Sequence, residues 1–453
     1  MIDQENLEEQ LNSFDARERK DALKKLAVEC GNTLPREGSN VNMHFHSFFS
    51  YNAEGYSPSR IAWEARKAGL YAAGLCDFDV LDGLDEFMKA GLTLGLRATV
   101  NIETRAYVKE YADVDINSPG EHGVTYIMGA AFTQKPAEGS LQAKGLNDFR
   151  QRARLRNISL IKRINSKLTD IATDYEKDVL PLTPSGSATE RHIITAYINK
   201  SKSVFKQPEK VAGFWAKILG INFEETTLLL ADLPALEEAV RSKLAKRGGI
   251  GYEPPSVDTF PPVGEFLKWV ASCEAIPMAT WLDGTSGGEK NGRAMLECMQ
   301  SKGAAAVNLI PDRNWNISSP EVRAVKTKNL KDIVEIADIM NLPVNIGTEM
   351  NKLGLPFMDN LDCEALRPFK ETFLKGARIM VGHSLLQGYA GFSYIGDKAN
   401  SEFKDVKAKN SFFEASGKLP AMTLKQSIKL QDMGKEKAFA WFNDAVNKIR
   451  RNK

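Results

Sequence analysis

Strands and helices alternate along the first part of this chain, stop alternating for more than a hundred residues, and then resume. Few architectures accommodate that pattern. VNMHF (41–45), LYAAGL (70–75), RATVNI (97–102) and VTYIMGAAF (124–132) read as strands before the gap. AIPMATW (275–281), AAAVNLI (304–310), LPVNIGTE (342–349) and ARIMVGH (377–383) read as strands after it. The link SPSRIAWEARKAGL carries every mark of a helix: Ser57 as N-cap, Pro58 at the first helical position, Ile61, Ala65 and Ala68 on one face, and Gly69 as the stop. Strands joined by helices of that length make βαβ units and a parallel sheet. The expected fold class is therefore α/β, a (β/α) barrel of seven to eight strands with a large helical insertion.

The interruption itself, 140–250, is helical in character, with LNDFRQRARLRNISLIKRINSKL and VAGFWAKIL as its clearest pieces, and RGGIGYEPP breaks it at the end. The chain divides into an N-terminal helical extension (1–40), a first half-barrel (41–132), the insertion (133–262), a second half-barrel (263–397) and C-terminal helices (398–453). The apolar faces HIITAYI and VAGFWAKIL exceed what one thin helical layer buries, so the insertion is expected to cover a barrel mouth or to join copies into a homo-oligomer. Arg150, Arg152, Arg154 and Arg156 spread around their helix and read as a solvated face. A net charge of +2 gives no argument for nucleic acid or an anionic membrane as partner. No apolar run approaches the roughly 20 residues of a membrane span, and no signal peptide is visible. Five scattered cysteines without a CxxC pair argue against a disulfide framework and a cysteine zinc site. The expected location is cytoplasmic.

In such barrels the chemistry sits in the loops after the carboxyl ends of the strands, and the unusual residues of this chain collect there. His44 and His46 end the first candidate strand, Asp77 and Asp79 follow the second, Glu103 follows the third, Glu349 the seventh and His383 the eighth. Residues two apart on a strand share a face, about 6.5 Å apart, so two imidazoles with a nearby carboxylate can grip one divalent ion. Asp77 can accept from a ligating imidazole N–H or act as a base. PDRNWN (311–316) and NIGTEMNKLGLP (345–356) offer Arg313, Asn316, Glu349, Asn351 and Lys352 to an anionic or polyhydroxy substrate, with arginine suited to phosphate or carboxylate. His122 and His192 are expected outside the site.

The run HFHSFFSYNAEGYSPSRIAWEARKAGLYAAGLCDFDVLDGLDEFMKAGLTLGLRATVNIE resembles the opening of the PHP (polymerase and histidinol phosphatase) superfamily, with its HxHTxxSDG, TDHDTLxG and later glutamate. The resemblance is good over 41–104, extends to the alternating units of 275–385, and is absent from 132–262. It implies a distorted seven-stranded barrel that holds up to three divalent metals and hydrolyses phosphoesters. His44 and His46 match the first motif, and Glu103 the glutamate. The family's TDH histidine falls on Phe78, the aspartate of its SDG on Tyr51, and MATWLD stands where AHP is expected. Aligning the terminal GSDAH with VGHS puts His383 in the aspartate's slot. The resemblance thus implies one surviving divalent ion on His44, His46, Glu103 and His383, zinc first, with manganese or iron as alternatives.

The expected function is that of a metal-dependent hydrolase of the phosphoesterase type acting on a small anionic metabolite, with Asp77, Arg313 and Glu349 catalytic and Asn316, Asn351 and Lys352 binding substrate. Two alternatives stand beside it: a metal-dependent isomerase or lyase on a sugar or hydroxy acid, and a pseudoenzyme or ligand-binding barrel with a vestigial metal site.

Overall fold

The computed structural model describes residues 3–256 and 258–451. Two N-terminal helices, α1 (Gln4–Gln10) and α2 (Ala16–Cys30), precede β1 (Val41–Phe45), α3 (Pro58–Lys67), β2 (Ala72–Phe78), α4 (Leu84–Leu94), β3 (Arg97–Tyr107) and β4 (Val124–Ala130). Five helices then run without a strand: α5 (Leu141–Asn165), α6 (Glu190–Phe205), α7 (Pro208–Leu219), α8 (Phe223–Ala231) and α9 (Leu233–Leu244). The alternation returns with α10 (Val263–Ser272), β5 (Ile276–Trp281), α11 (Gly292–Ser301), β6 (Ala306–Leu309), the short α12 (Asp312–Trp315), α13 (Pro320–Ile339) and β7 (Val344–Ile346). It ends in α14 (Lys370–Ala390), α15 (Asp397–Glu402), α16 (Val406–Gly417), α17 (Leu424–Met433) and α18 (Lys435–Arg451). Among the described residues, no helix is long and apolar enough to cross a membrane.

The seven strands pair in chain order, β1 to β7, into one sheet curled nearly into a barrel. The seam between its edges is stitched by main-chain atoms: the Glu349 amide donates to the His44 carbonyl at 2.8 Å, and the His46 amide donates to the Glu349 carbonyl at 2.9 Å. That approach is close enough to demand glycine two residues earlier. A Cβ on Gly347 would sit 2.4 Å from the Asn42 side chain and 2.5 Å from the His44 Cβ. Asn42 then ties the two edges, accepting from the His44 amide at 3.0 Å and donating to the Thr348 hydroxyl at 2.8 Å.

Two expectations need correcting. The sheet is not wholly parallel, because β4 runs antiparallel to both β3 and β5. The link before it, 108–123, holds one 3-10 turn, Lys109–Tyr111, and no α-helix, whereas a parallel return usually crosses over through a helix. Nor is ARIMVGH a strand. Residues 377–383 lie inside α14, a 21-residue helix with eleven buried residues. It packs so closely on the sheet that a Cβ at Gly376 would collide with the Val344 carbonyl. A helix apolar on nearly every side has no helical stripe to betray it, and its apolar run then reads as a buried strand.

The apolar interior falls into one large cluster around the barrel and its helices and a separate one within the insertion, centred on Tyr197, Trp215 and Leu236. The insertion therefore carries its own core. Tyr51, in the loop after β1, meets it through an edge-on contact with His192 at 5.2 Å.

Candidate metal centre

His44 and His46 leave β1 on one face, their ring centroids 5.1 Å apart. Glu103 reaches them from β3: its Oε2 lies 3.5 Å from His44 Nε2 and 3.4 Å from His46 Nε2. Glu349 joins from the turn after β7. One donor atom from each of these four side chains lies within 4.8 Å of every other. Both Glu349 and Met350 adopt left-handed backbone, φ 65° and 55°, which turns the chain sharply as it leaves the seam.

The electrostatics of the cluster are those of a site built for a cation. Both imidazoles and Glu103 are buried, and His44 Nδ1 and Nε2, His46 Nε2 and Glu103 Oε2 lack any hydrogen-bond partner in the protein. The tautomer of His46 follows from its neighbours. Ser50 spends its one hydroxyl proton on Asp77 Oδ1 at 2.7 Å, so it accepts from His46 Nδ1 at 3.3 Å. That leaves a bare lone pair on Nε2 facing a carboxylate oxygen, which is repulsive unless a proton or a metal ion lies between them. Burial works against charge on His44, yet Glu103, with Glu349 beyond it, holds the imidazole above its usual pKa. Burial likewise pushes Glu103 up, but the two histidines overcome this and hold it below the usual carboxylate range. The four donors fit a divalent ion.

The other expected residues are placed as follows. Asp77 is buried and fully used, accepting from the Ser47 amide and hydroxyl and the Ser50 hydroxyl, each at 2.7 Å. Burial raises its pKa, and these hydrogen bonds offset part of the rise. It does not line the cavity, so its geometry is that of a positioning residue acting on His46 through Ser50 and not of a base facing substrate. Arg313 on α12 pairs with Glu349. Asn351 lines the cavity. Asn316 turns back to Asp312 of its own helix at 3.0 Å, and Lys352 is exposed and outside the lining, so neither stands where a substrate-binding role expected it.

His383 is the clearest correction. It belongs to α14 and sits beside the backbone of Ala131 and Glu274, where antiparallel β4 ends and β5 begins. That is the end of the barrel opposite to the cluster. Its Nδ1 accepts from the Tyr394 amide at 3.1 Å, its ring faces Phe413, and burial pushes its pKa down to about 3. The second carboxylate that joins the two histidines, beside Glu103, is Glu349. Phe78 stacks on His46 at 4.6 Å and 11°.

Above the cluster lies a cavity of about 900 Å³, walled by barrel residues below and by α5, α6 and α9 of the insertion above. The insertion thus covers the carboxyl mouth. Eight arginines and one lysine line this space against four carboxylates. Arg150, Arg154 and Arg156 are among them, so that part of α5 is a cavity wall and not the solvated face its spacing suggested. Arg152 is not in the lining.

No protein-family model matches the chain, and no curated protein matches its sequence. Solved structures that resemble it include a proposed metal-dependent phosphoesterase from Bifidobacterium adolescentis, 20% identical with a TM-score of 0.45 over 75% of this chain and 97% of that one. Another is an amidohydrolase from Chromobacterium violaceum with bound sulfate and no metal, 16% identical with a TM-score of 0.48 over 74% of this chain and 96% of that one.

Proposed function

We propose that this chain is a metal-dependent hydrolase of the phosphoesterase type, acting on a small anionic metabolite through one divalent ion held by His44, His46, Glu103 and Glu349. The observation that carries the reading is the set of buried, unpartnered nitrogen and oxygen atoms converging at the floor of an arginine-lined cavity. An ion at that place supplies Lewis acidity and lowers the pKa of water from about 16 towards 7. The chain's own groups do the rest. Arg313 neutralises Glu349 and offers its remaining N–H groups to an anionic oxygen. Asn351, whose Oδ1 has no partner, orients the substrate. Asp77 and Ser50 keep the His46 proton on Nδ1. The insertion excludes bulk water, which strengthens each of these interactions.

One observation favours the pseudoenzyme reading: four protein donors can saturate a tetrahedral ion and make it structural. The Glu349–Arg313 pair favours the hydrolase, because a carboxylate shared with a guanidinium can leave a coordination position open. Elemental analysis of purified protein is the test, followed by a panel of phosphate esters. About one equivalent of zinc, manganese or iron, with ester hydrolysis that chelator abolishes, supports the hydrolase. Bound metal without turnover of any ester leaves the pseudoenzyme, and hydrolysis of none but turnover of a sugar or hydroxy acid leaves the isomerase or lyase.

A further inference from the structure

Most of the cations around the cavity already have acidic partners. Arg105 pairs with Glu121 at 2.7 Å, Arg191 with Glu238 at 2.9 Å, Arg241 with Glu190 at 2.7 Å, and Arg313 with Glu349. Among the described residues, Arg156 and the exposed Arg247 are the two lining cations with no carboxylate within 4.0 Å. Arg156 is the sheltered one. Its Nε is buried without a partner, and its one hydrogen bond is a long 3.4 Å contact to the Thr259 carbonyl. Its guanidinium lies 4.7 Å from the ring centroid of buried Phe260, and that of Arg105 lies 4.8 Å from the same centroid. Two like charges held on one apolar ring repel each other. Burial, then Arg105, push the pKa of Arg156 down to about 10, still charged at neutral pH. Asp79, the nearest acidic relief, already accepts from the Thr104 hydroxyl at 2.5 Å.

We propose that Arg156, reaching down from the insertion beside Arg105, binds an anionic group of the substrate other than the one at the metal ligands, so that the pocket takes small molecules carrying two separated anions. Separation follows from the neighbourhoods. Arg156 lies against Phe260 and the Thr259 carbonyl, whereas Arg313 is held on Glu349 of the cluster. A guanidinium prepaid in position on an aromatic face gives a planar, bidentate grip on phosphate or carboxylate. The two-anion substrate class rests on the hydrolase reading; the anion site itself does not.

Equilibrium dialysis of the full-length protein with radiolabelled inorganic phosphate separates the two. Chelator-stripped wild type should bind one phosphate, and zinc-loaded wild type two. Arg156→Gln should weaken the metal-independent site by about tenfold or more, with an unchanged circular dichroism spectrum, and Arg156→Lys should retain part of the affinity. Equal binding by wild type and Arg156→Gln without metal, or no metal-independent phosphate at all, overturns the proposal. An Arg156-dependent phosphate that zinc never supplements upholds the anion site while the hydrolase reading fails. Displacement of the metal-independent phosphate by malonate identifies the second group as carboxylate-like; resistance to malonate identifies it as a phosphate. Either result upholds the site.

Discussion

His44 and His383 are both completely buried, stand at opposite ends of the same barrel, and respond to burial in opposite ways. At the carboxyl end, strand termini bring two carboxylates to His44 and its affinity for a proton rises despite desolvation. At the other end His383, on α14, is surrounded by the Ala131 and Glu274 backbone, the Tyr394 amide and the Phe413 ring, and burial keeps it neutral down to a pH of about 3. Burial therefore does not make a ligand. What the carboxyl end adds is convergence: strand ends there bring donor atoms of two imidazoles and two carboxylates within 4.8 Å of one another.

The comparison breaks most visibly on metal content. His46→Ala should take bound metal from about one equivalent to nearly none and cut ester hydrolysis about a thousandfold, the several kcal/mol a metal contributes, while the barrel still folds. His383→Leu should leave the metal untouched. The reverse result, by plasma mass spectrometry on the two purified variants, would exchange the roles assigned to the two ends.

The amino end should respond in stability. His383→Ala opens a cavity and orphans the Tyr394 amide, costing about 2–4 kcal/mol in urea unfolding, with metal content unchanged. At the carboxyl end, Ser50→Ala removes the acceptor that fixes the His46 tautomer. Metal affinity should fall about 10–100-fold, measured by competition with a chromophoric chelator, with little loss of stability.

The amino end should also show in pH dependence. His383 has a folded pKa below its unfolded value, so between about 3 and 6.5 the unfolded chain binds a proton that the native chain refuses. Stability then falls as pH drops through that window, by about 1.4 kcal/mol per unit for one such group. His383→Leu should flatten the acid limb by that slope, while residual slope comes from groups such as His192, also pushed down, to about 4, by burial. An unchanged limb would mean that His383 is protonated in the native state.

Seven of the eight strand readings coincide with strands because half-buried and buried strands bounded by good helices leave strong local marks. α14 hid behind uniform burial, and the reversal of β4 depended on what its connection lacked. His44, His46 and Glu103 were legible through spacing and strand-end position. Glu349 was read as catalytic and not as a member of the His44–His46–Glu103 cluster, because 377–383 was taken for the last strand and a ligand was sought there. The cavity wall of α5 was the hardest to see: arginines that alternate around a helix look solvated until the insertion that carries them is folded over the barrel.

The seam at Glu349 separates two duties that usually compete. Barrel closure there depends on the amide and carbonyl of residue 349, whereas the proposed ion binding would use its side chain. Its left-handed backbone is one that aspartate, asparagine and histidine adopt more readily than most residues. The donor at this position can therefore be exchanged, Glu349→Asp or Glu349→His, and the hardness of the ligand set retuned without unpicking the barrel. That makes residue 349 the natural place for a lineage, or a designer, to change which metal this scaffold prefers.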